Sequence, residues 1–280
     1  MNAIGFSLLV NTSFFLADVC IKLSSLQISP ARLIYLRSIY TVTFAGLWLL
    51  ISGNFANPPE TKDMAWLIVC SILCAIGLFY YVKALQNLHF VNVAVIGIMG
   101  AFIHYGLGVW LNNDKLNHWF FIASGLSTLG ILIQWKKTSA KKGLLDAVIS
   151  AVCWGFGYAL LSIPLANTSA EWGTFVTEFS ILILSALFII LNDSDFNLSK
   201  PPLKNKYILG VAIFTILGSL MINISYQMFS LNTLGFMQLS FFPYSLIAGY
   251  FIFKERLNKW EWIGNSLVVL GLVIYFYFCE

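Results

Sequence analysis

Charge is what this sequence has least of. Of 280 residues, 10% are charged, against 59% hydrophobic and 16% aromatic, and the mean hydropathy is +0.82. A soluble domain runs near roughly 25% charged, and so apolar a chain has too few polar groups to cover a water-facing fold. A soluble enzyme, a secreted domain and a disordered chain are excluded; an integral membrane protein remains. The charge present is only mildly unbalanced, 16 basic against 12 acidic residues. It lies in short stretches between apolar runs, unlike the basic face of a nucleic-acid binder. Cysteine is scarce too: Cys20, Cys70, Cys74, Cys153 and Cys279 all lie within apolar runs, with no CxxC or Cys/His cluster. They read as small buried hydrophobes rather than metal ligands or disulfides, and no cofactor is expected. No Walker-type glycine loop and no HExxH motif occurs, which argues against an ATP-driven pump and a membrane metalloenzyme. The first apolar run, Ile4 to Ser24, lacks a basic flank and a small-residue cleavage site, and reads as a retained span rather than a signal peptide.

What is there instead is long apolar segments. About 20 apolar residues cross the hydrocarbon core as a helix, and ten segments qualify: roughly 4–24, 30–52, 64–86, 89–112, 117–136, 143–163, 171–192, 205–230, 233–253 and 258–279. Turn signals such as Asn57-Pro58-Pro59 and Lys200-Pro201-Pro202 separate them. They are too long and too uniformly apolar for the alternating strands of a porin. The expectation is an all-α integral membrane protein with ten transmembrane helices. Assigned by segment, 14 of the 16 Lys and Arg fall on one side of the membrane, with Lys62 and Lys115 alone on the other. That bias predicts a cytoplasmic 136–142 loop and both termini outside the cytoplasm. Eight of nine tryptophans lie near span ends, as an interfacial belt requires; Trp154 does not.

The halves repeat. Leu116-Asn117-His118-Trp119 recurs as Leu257-Asn258-Lys259-Trp260, an offset of 141. Leu129-Gly130-Ile131-Leu132-Ile133 recurs at the same offset as Leu270-Gly271-Leu272-Val273-Ile274, and Asp114-Lys115 as Glu255-Arg256. Five spans per half force the second to lie upside down relative to the first, giving two inverted five-helix repeats, 1–136 and 143–280, joined by a basic linker at 137–142. Inverted repeats are an architecture of secondary transporters, with the substrate near the midplane.

These features resemble the drug/metabolite transporter superfamily, in particular its ten-helix EamA-like members. The resemblance rests on the doubled five-span unit, Trp154-Gly155 in the sixth span, Lys22 ending the first, Arg37 in the second, and the (Asp/Glu)-(Lys/Arg)-Leu-Asn-x-Trp loop before the last span of each half. It implies a proton- or exchange-coupled carrier of small organic solutes, often an exporter of amino acids or other metabolites, acting as a monomer in a bacterial inner membrane. The first half departs from the pattern, having Phe14-Phe15 near the place of the tryptophan-glycine pair and no counterpart of Pro243.

Ionisable residues inside a bilayer are costly, so each is a functional candidate: Asp18, Arg37, His104 and Glu178. Asn11, Phe15, Asp18 and Lys22 follow 4, 3, 4 spacing and share a helix face. Ser150, Trp154 and Tyr158 form a second stripe; Thr174 with Glu178, Ser219 with Asn223 and Tyr226, and Gln238 with Phe242 and Ser245 form others. Together they predict one pocket holding substrate through Asn11, Phe15, Asp18, Trp154, Tyr158, Glu178, Asn223, Tyr226 and Gln238. Asp18 and Lys22 are spaced for an ion pair. Glu178, without a basic residue one turn away, suits proton coupling or pairing with Arg37. His104 suits a proton relay or a helix–helix hydrogen bond. Trp154 and Tyr158 offer faces for an ammonium or simply core packing. Pro243 is expected to kink the ninth span as a hinge, with Arg37 gating. The leading expectation is a secondary transporter working by alternating access on small-molecule solutes, with protons as coupling partners and no nucleic-acid partner. A facilitator, a quaternary-amine importer of the same fold and a non-transporting membrane protein are the alternatives.

Overall fold

The computed structural model describes residues 3–25, 28–112, 117–137, 140–192, 206–229, 231, 234, 238 and 241–278. Their principal elements are helices: α1 (Ala3–Ser25), α2 (Pro30–Ile51), α3 (Thr61–Asn87), α4 (Phe90–Ile98), α5 (Gly100–Asn112), α6 (His118–Lys137), α7 (Lys141–Leu165), α8 (Ala170–Asn192), α9 (Lys206–Met228), α10 (Phe241–Ile247) and α11 (Lys259–Phe278). No strand occurs among the described residues. Seven segments are long and apolar enough to cross a membrane: α1, α2, α3, α4 with α5, α7, α8 and α9. The other three of the ten are α6 and α11, each 20 residues, and α10 with the π-turn Ala248–Ile252 that follows it. The Asp114-Lys115 motif and Lys200-Pro201-Pro202 lie outside the described residues.

Two segments depart from continuous helix. The fourth is broken at Met99, whose amide reaches back to Ile96 O (3.0 Å) while Phe102 reaches Met99 O (3.0 Å). The glycines on either side, Gly97 and Gly100, lower the cost of leaving the helix there. In the ninth segment Pro243 is the third described residue of α10, and residues 239 and 240 lie outside the described residues. A helical irregularity falls five residues after Pro243, in the π-turn.

The helices pair along their lengths: α3 on α7, α6 on α11, α1 on α9 and α2 on α8. The α6–α11 seam is built from small residues. A Cβ on Gly130 would strike Gly264 O at 2.5 Å, and one on Gly271 would strike Ala123 O at 2.5 Å, so the backbones meet where only glycine fits. Ser127 Oγ donates to Val268 O (3.3 Å) in the same seam. The repeated Leu-Asn-x-Trp motif proves to be a helix cap: Asn117 Oδ1 accepts from Trp119 N (3.1 Å) at the start of α6, and Asn258 Oδ1 from Trp260 N (2.9 Å) at the start of α11. At α11 the cap closes both ways, since Asn258 N donates to Glu261 Oε2 (2.7 Å). Large apolar side chains such as Ile51, Trp110, Leu191 and Phe251 remain exposed on the outside, as a lipid-facing surface demands.

Candidate transport cavity

The pairing leaves a cavity of about 160 Å³ between α1, α3, the α4–α5 break, α7 and α9. Of the pocket residues expected from sequence, Asn11, Asp18, Trp154, Tyr158, Tyr226 and Gln238 line it, together with His104. Phe15 does not. Along α1 the wall residues are Asn11, Phe14 and Asp18, spaced 3 and 4; Phe15 is turned about 100° away and packs on Tyr244 (5.3 Å), Phe241 (6.3 Å) and Phe90 (6.4 Å).

Asp18 is the one carboxylate among the lining residues. It faces Tyr81 of α3, whose buried hydroxyl is turned to the carboxylate and bonded to no other side chain. Sequence reasoning missed Tyr81, although Cys74, Gly77 and Tyr81 stand at 3 and 4 spacing on one face of α3. The Trp154 indole lies on that face: a Cβ on Gly77 would meet its ring at 2.6 Å, and its Nε1 donates to Cys74 O (3.1 Å). The Trp154 and Tyr81 rings are 4.7 Å apart. Thus Trp154, the tryptophan outside the interfacial belt, is keyed into a glycine notch beside Asp18.

His104 bridges α5 and α9. Its Nδ1 is 2.8 Å from Gly100 O and its Nε2 3.1 Å from the Tyr226 hydroxyl. A carbonyl only accepts, so Nδ1 carries the proton and Nε2 accepts from Tyr226. The helix–helix bond, rather than an unengaged relay, describes this histidine.

Glu178 lies outside the cavity lining. Its Oε2 accepts from Arg37 Nη1 (2.8 Å) and Thr41 Oγ1 (2.7 Å), and its Oε1 from Ser219 Oγ (3.4 Å). Arg37 and Glu178 are 2% and 1% exposed. The pair ties α2 to α8 and, through Ser219, to α9; among the alternatives open from sequence, pairing with Arg37 is the one realised. Asn223 is also withdrawn, donating to Thr174 Oγ1 (2.9 Å). Pro243, in α10, does not line the cavity.

A second polar cluster closes the Lys22 end of the bundle. Rather than turning to Asp18, Lys22 Nζ donates to Leu85 O and to Leu88 O (2.8 Å) at the end of α3 and lies 4.0 Å from Glu255. Glu255 Oε1 accepts from Phe90 N (2.7 Å), the first amide of α4. Its neighbour Lys254 has φ +54°, a left-handed turn between the π-turn and α11 that non-glycine residues rarely adopt. Glu261 Oε1 accepts from His89 Nδ1 (2.9 Å) and Asn92 Nδ2 (2.6 Å). Asn265 donates to Asn92 (2.8 Å) and accepts from Gln134 (3.0 Å). His89 stands between spans, and its hydrogen bond to Glu261 holds its pKa above the ordinary 6.5.

An all-helical bundle of apolar spans around a cavity with one buried acid in its wall suits a solute carrier. The family comparison agrees. Residues 141–277, within the second of the two repeats expected from sequence, match the EamA-like transporter family. That is a family of membrane transporters of the drug/metabolite type, not of enzymes, and the chain is accordingly a multi-pass membrane protein. A solved crystal structure matches over 100% of both chains with a TM-score of 0.66 at 15% identity, a likeness of fold alone. No curated protein matches the sequence.

Proposed function

We propose that the protein is a secondary transporter of small organic solutes bearing an amine, a range spanning amino acids and organic amines, and that the solute exchanges with protons at Asp18. The observation that carries this is the single carboxylate among the described residues lining the cavity, with Glu178 fully partnered elsewhere. An acid in a low-polarity cavity is stable charged only against a cation and otherwise favours its protonated form, so solute and proton compete for it.

Alternating access by two inverted repeats is supported by contacts that respect the 141-residue offset. Arg37 meets Glu178 and Ser127 meets Val268, each pair 141 apart. Gly130 against Gly264 and Ala123 against Gly271 are one contact seen from both halves. The pairing of α3 with α7 likewise corresponds to that of α9 with α1. Such contacts are those that two repeats related by an approximate two-fold axis would make, and the halves would rock about that axis around the cavity. Export across a bacterial inner membrane, with both termini outside the cytoplasm, completes the proposal.

Proteoliposome flux tests it. Asp18→Asn is expected to abolish flux driven by a proton gradient, while Glu178→Gln retains that dependence at whatever level of folded protein it reaches. Unchanged proton-driven flux in Asp18→Asn would remove Asp18 from the mechanism.

A further inference from the structure

The cavity's chemistry selects within that range. We infer that it takes an organic monoammonium ion, an apolar amine without a carboxylate, with the nitrogen held between the Asp18 carboxylate and the Tyr81 hydroxyl. This rests on the transporter reading and narrows its substrate class.

Three observations converge. The first is Tyr81, 3% exposed, on the cavity wall with its hydroxyl turned to Asp18 and bonded to no other side chain. That oxygen keeps lone pairs free, and an ammonium has three donors: one can go to Asp18 and one to this oxygen. The Trp154 ring, 4.7 Å from that of Tyr81, adds an aromatic face for the same cation.

The second is the absence of a counter-charge. No Lys or Arg lines the cavity among the described residues. Arg37 is engaged by Glu178, and Lys22 by two carbonyls and Glu255. His104, the one basic side chain in the wall, has its Nδ1 proton on Gly100 O and its Nε2 occupied by Tyr226. The Trp154 N–H is held by Cys74 O. The carboxylate of an amino acid would meet only neutral donors, and a buried anion without a cation or a full set of hydrogen bonds is disfavoured.

The third is size and lining. At about 160 Å³ the cavity has room for one small ring, comparable to a benzene-binding cavity of roughly 150 Å³. Away from Asp18 its wall is mostly apolar, with Phe14, Ile98, Ile222 and Phe241.

The experiment uses three probes that share one ring: phenethylamine, L-phenylalanine and 3-phenylpropanoate. Thermal stabilisation of the purified full-length protein gives affinity, and counterflow in proteoliposomes gives transport. Phenethylamine is expected to stabilise, L-phenylalanine to bind at least about tenfold more weakly because its carboxylate is unpaired, and phenylpropanoate not to bind. Tyr81→Phe, which keeps the ring, should weaken phenethylamine severalfold without changing the melting temperature of the unliganded protein; Asp18→Asn should remove its binding. L-Phenylalanine binding as well as the amine, binding of phenylpropanoate, no binding of the amine, or Tyr81→Phe leaving amine affinity intact would each overturn the inference. The two readings fail separately. Amine binding without flux would sink transport and keep the ligand class, whereas counterflow of phenylalanine without phenethylamine would sink the class and keep transport.

Discussion

Asp18 and Glu178 are both buried carboxylates on apolar helices, 9% and 1% exposed, yet their surroundings differ in kind. Glu178 has a guanidinium and two hydroxyls, all supplied by neighbouring helices. Asp18 has a wall of a cavity and, turned toward it, the one hydroxyl of Tyr81. A buried charge whose partners come from within the fold is fixed in one state, because any change breaks several charge-assisted bonds at once. A buried charge short of partners must take them from outside, as a proton or a ligand. Depth in the membrane therefore does not separate scaffold from site; completeness of the hydrogen-bond shell does. The Lys22–Glu255–His89–Glu261 cluster is intermediate on this test: Glu261 is fully engaged, whereas Glu255 Oε2 is buried without a hydrogen bond.

Removing one member of each site should break the comparison most sharply. Arg37→Met leaves Glu178 unpaired in the seam and is expected to cost about 3–5 kcal/mol, read as loss of the folded, monodisperse protein by fluorescence size-exclusion chromatography. Replacing both, Arg37→Met with Glu178→Met, should recover most of that loss, since a buried pair exchanged for apolar side chains is often nearly neutral. Asp18→Asn should change stability by less than about 1 kcal/mol, because it withdraws a charge that the fold leaves unpaired. Equal destabilisation by Asp18→Asn and Arg37→Met would erase the distinction.

A smaller effect contrasts two glycines. Gly271 sits where a Cβ has no room beside Ala123 O, whereas a Cβ on Gly97, in the cavity wall, would meet nothing within 4 Å. Gly271→Ala should lower stability by about 1–3 kcal/mol through overpacking. Gly97→Ala should leave the melting temperature unchanged or raise it by the equivalent of about 0.5–1 kcal/mol, while its methyl takes up cavity space and weakens ligand binding. A stabilised Gly271→Ala protein would show that the seam is looser than its glycines imply.

Much of this was written in the sequence, for identifiable reasons. Ten helical segments follow from hydropathy because a bilayer fixes their length, and the repeated Asn117 and Asn258 were visible because helix capping needs that residue type at that place. Asn11, Asp18, Trp154, Tyr158, Tyr226 and Gln238 were legible as cavity residues because polar or unusual side chains at mid-depth have few places to go. What periodicity could not settle was which of two adjacent residues faces inward: Phe14 and Phe15 differ by one residue, and packing of α1 against α9 and α10 decides it. Nor could it say that Glu178 would find Arg37, since their contact depends on how α2 and α8 cross. Tyr81 was hidden for a similar reason. It stands in an apolar helix with another tyrosine before it, and only the tertiary neighbour, Asp18, marks it.

The smallest effect concerns His89, the partly exposed histidine of the cluster at the Lys22 end. Its pKa is raised above 6.5, first by the hydrogen bond to Glu261 and further by the charges of Glu261 and Glu255, while partial burial and Lys22 act the other way. A group whose folded pKa is raised contributes stability that is fully present below its unfolded value and is lost as pH rises through the folded one. The stability difference between the wild type and His89→Ala is therefore expected to be greatest near pH 5.5 and to fade above neutrality. With 38% of the side chain exposed, solvent screening limits the contribution to about 0.5–1 kcal/mol, a shift of about 1–3 °C in melting temperature. Glu261→Gln should flatten the pH dependence by removing the charge that raises His89. A difference that grew as pH rose would mean that His89 is held neutral in the folded protein, against the hydrogen bond to Glu261.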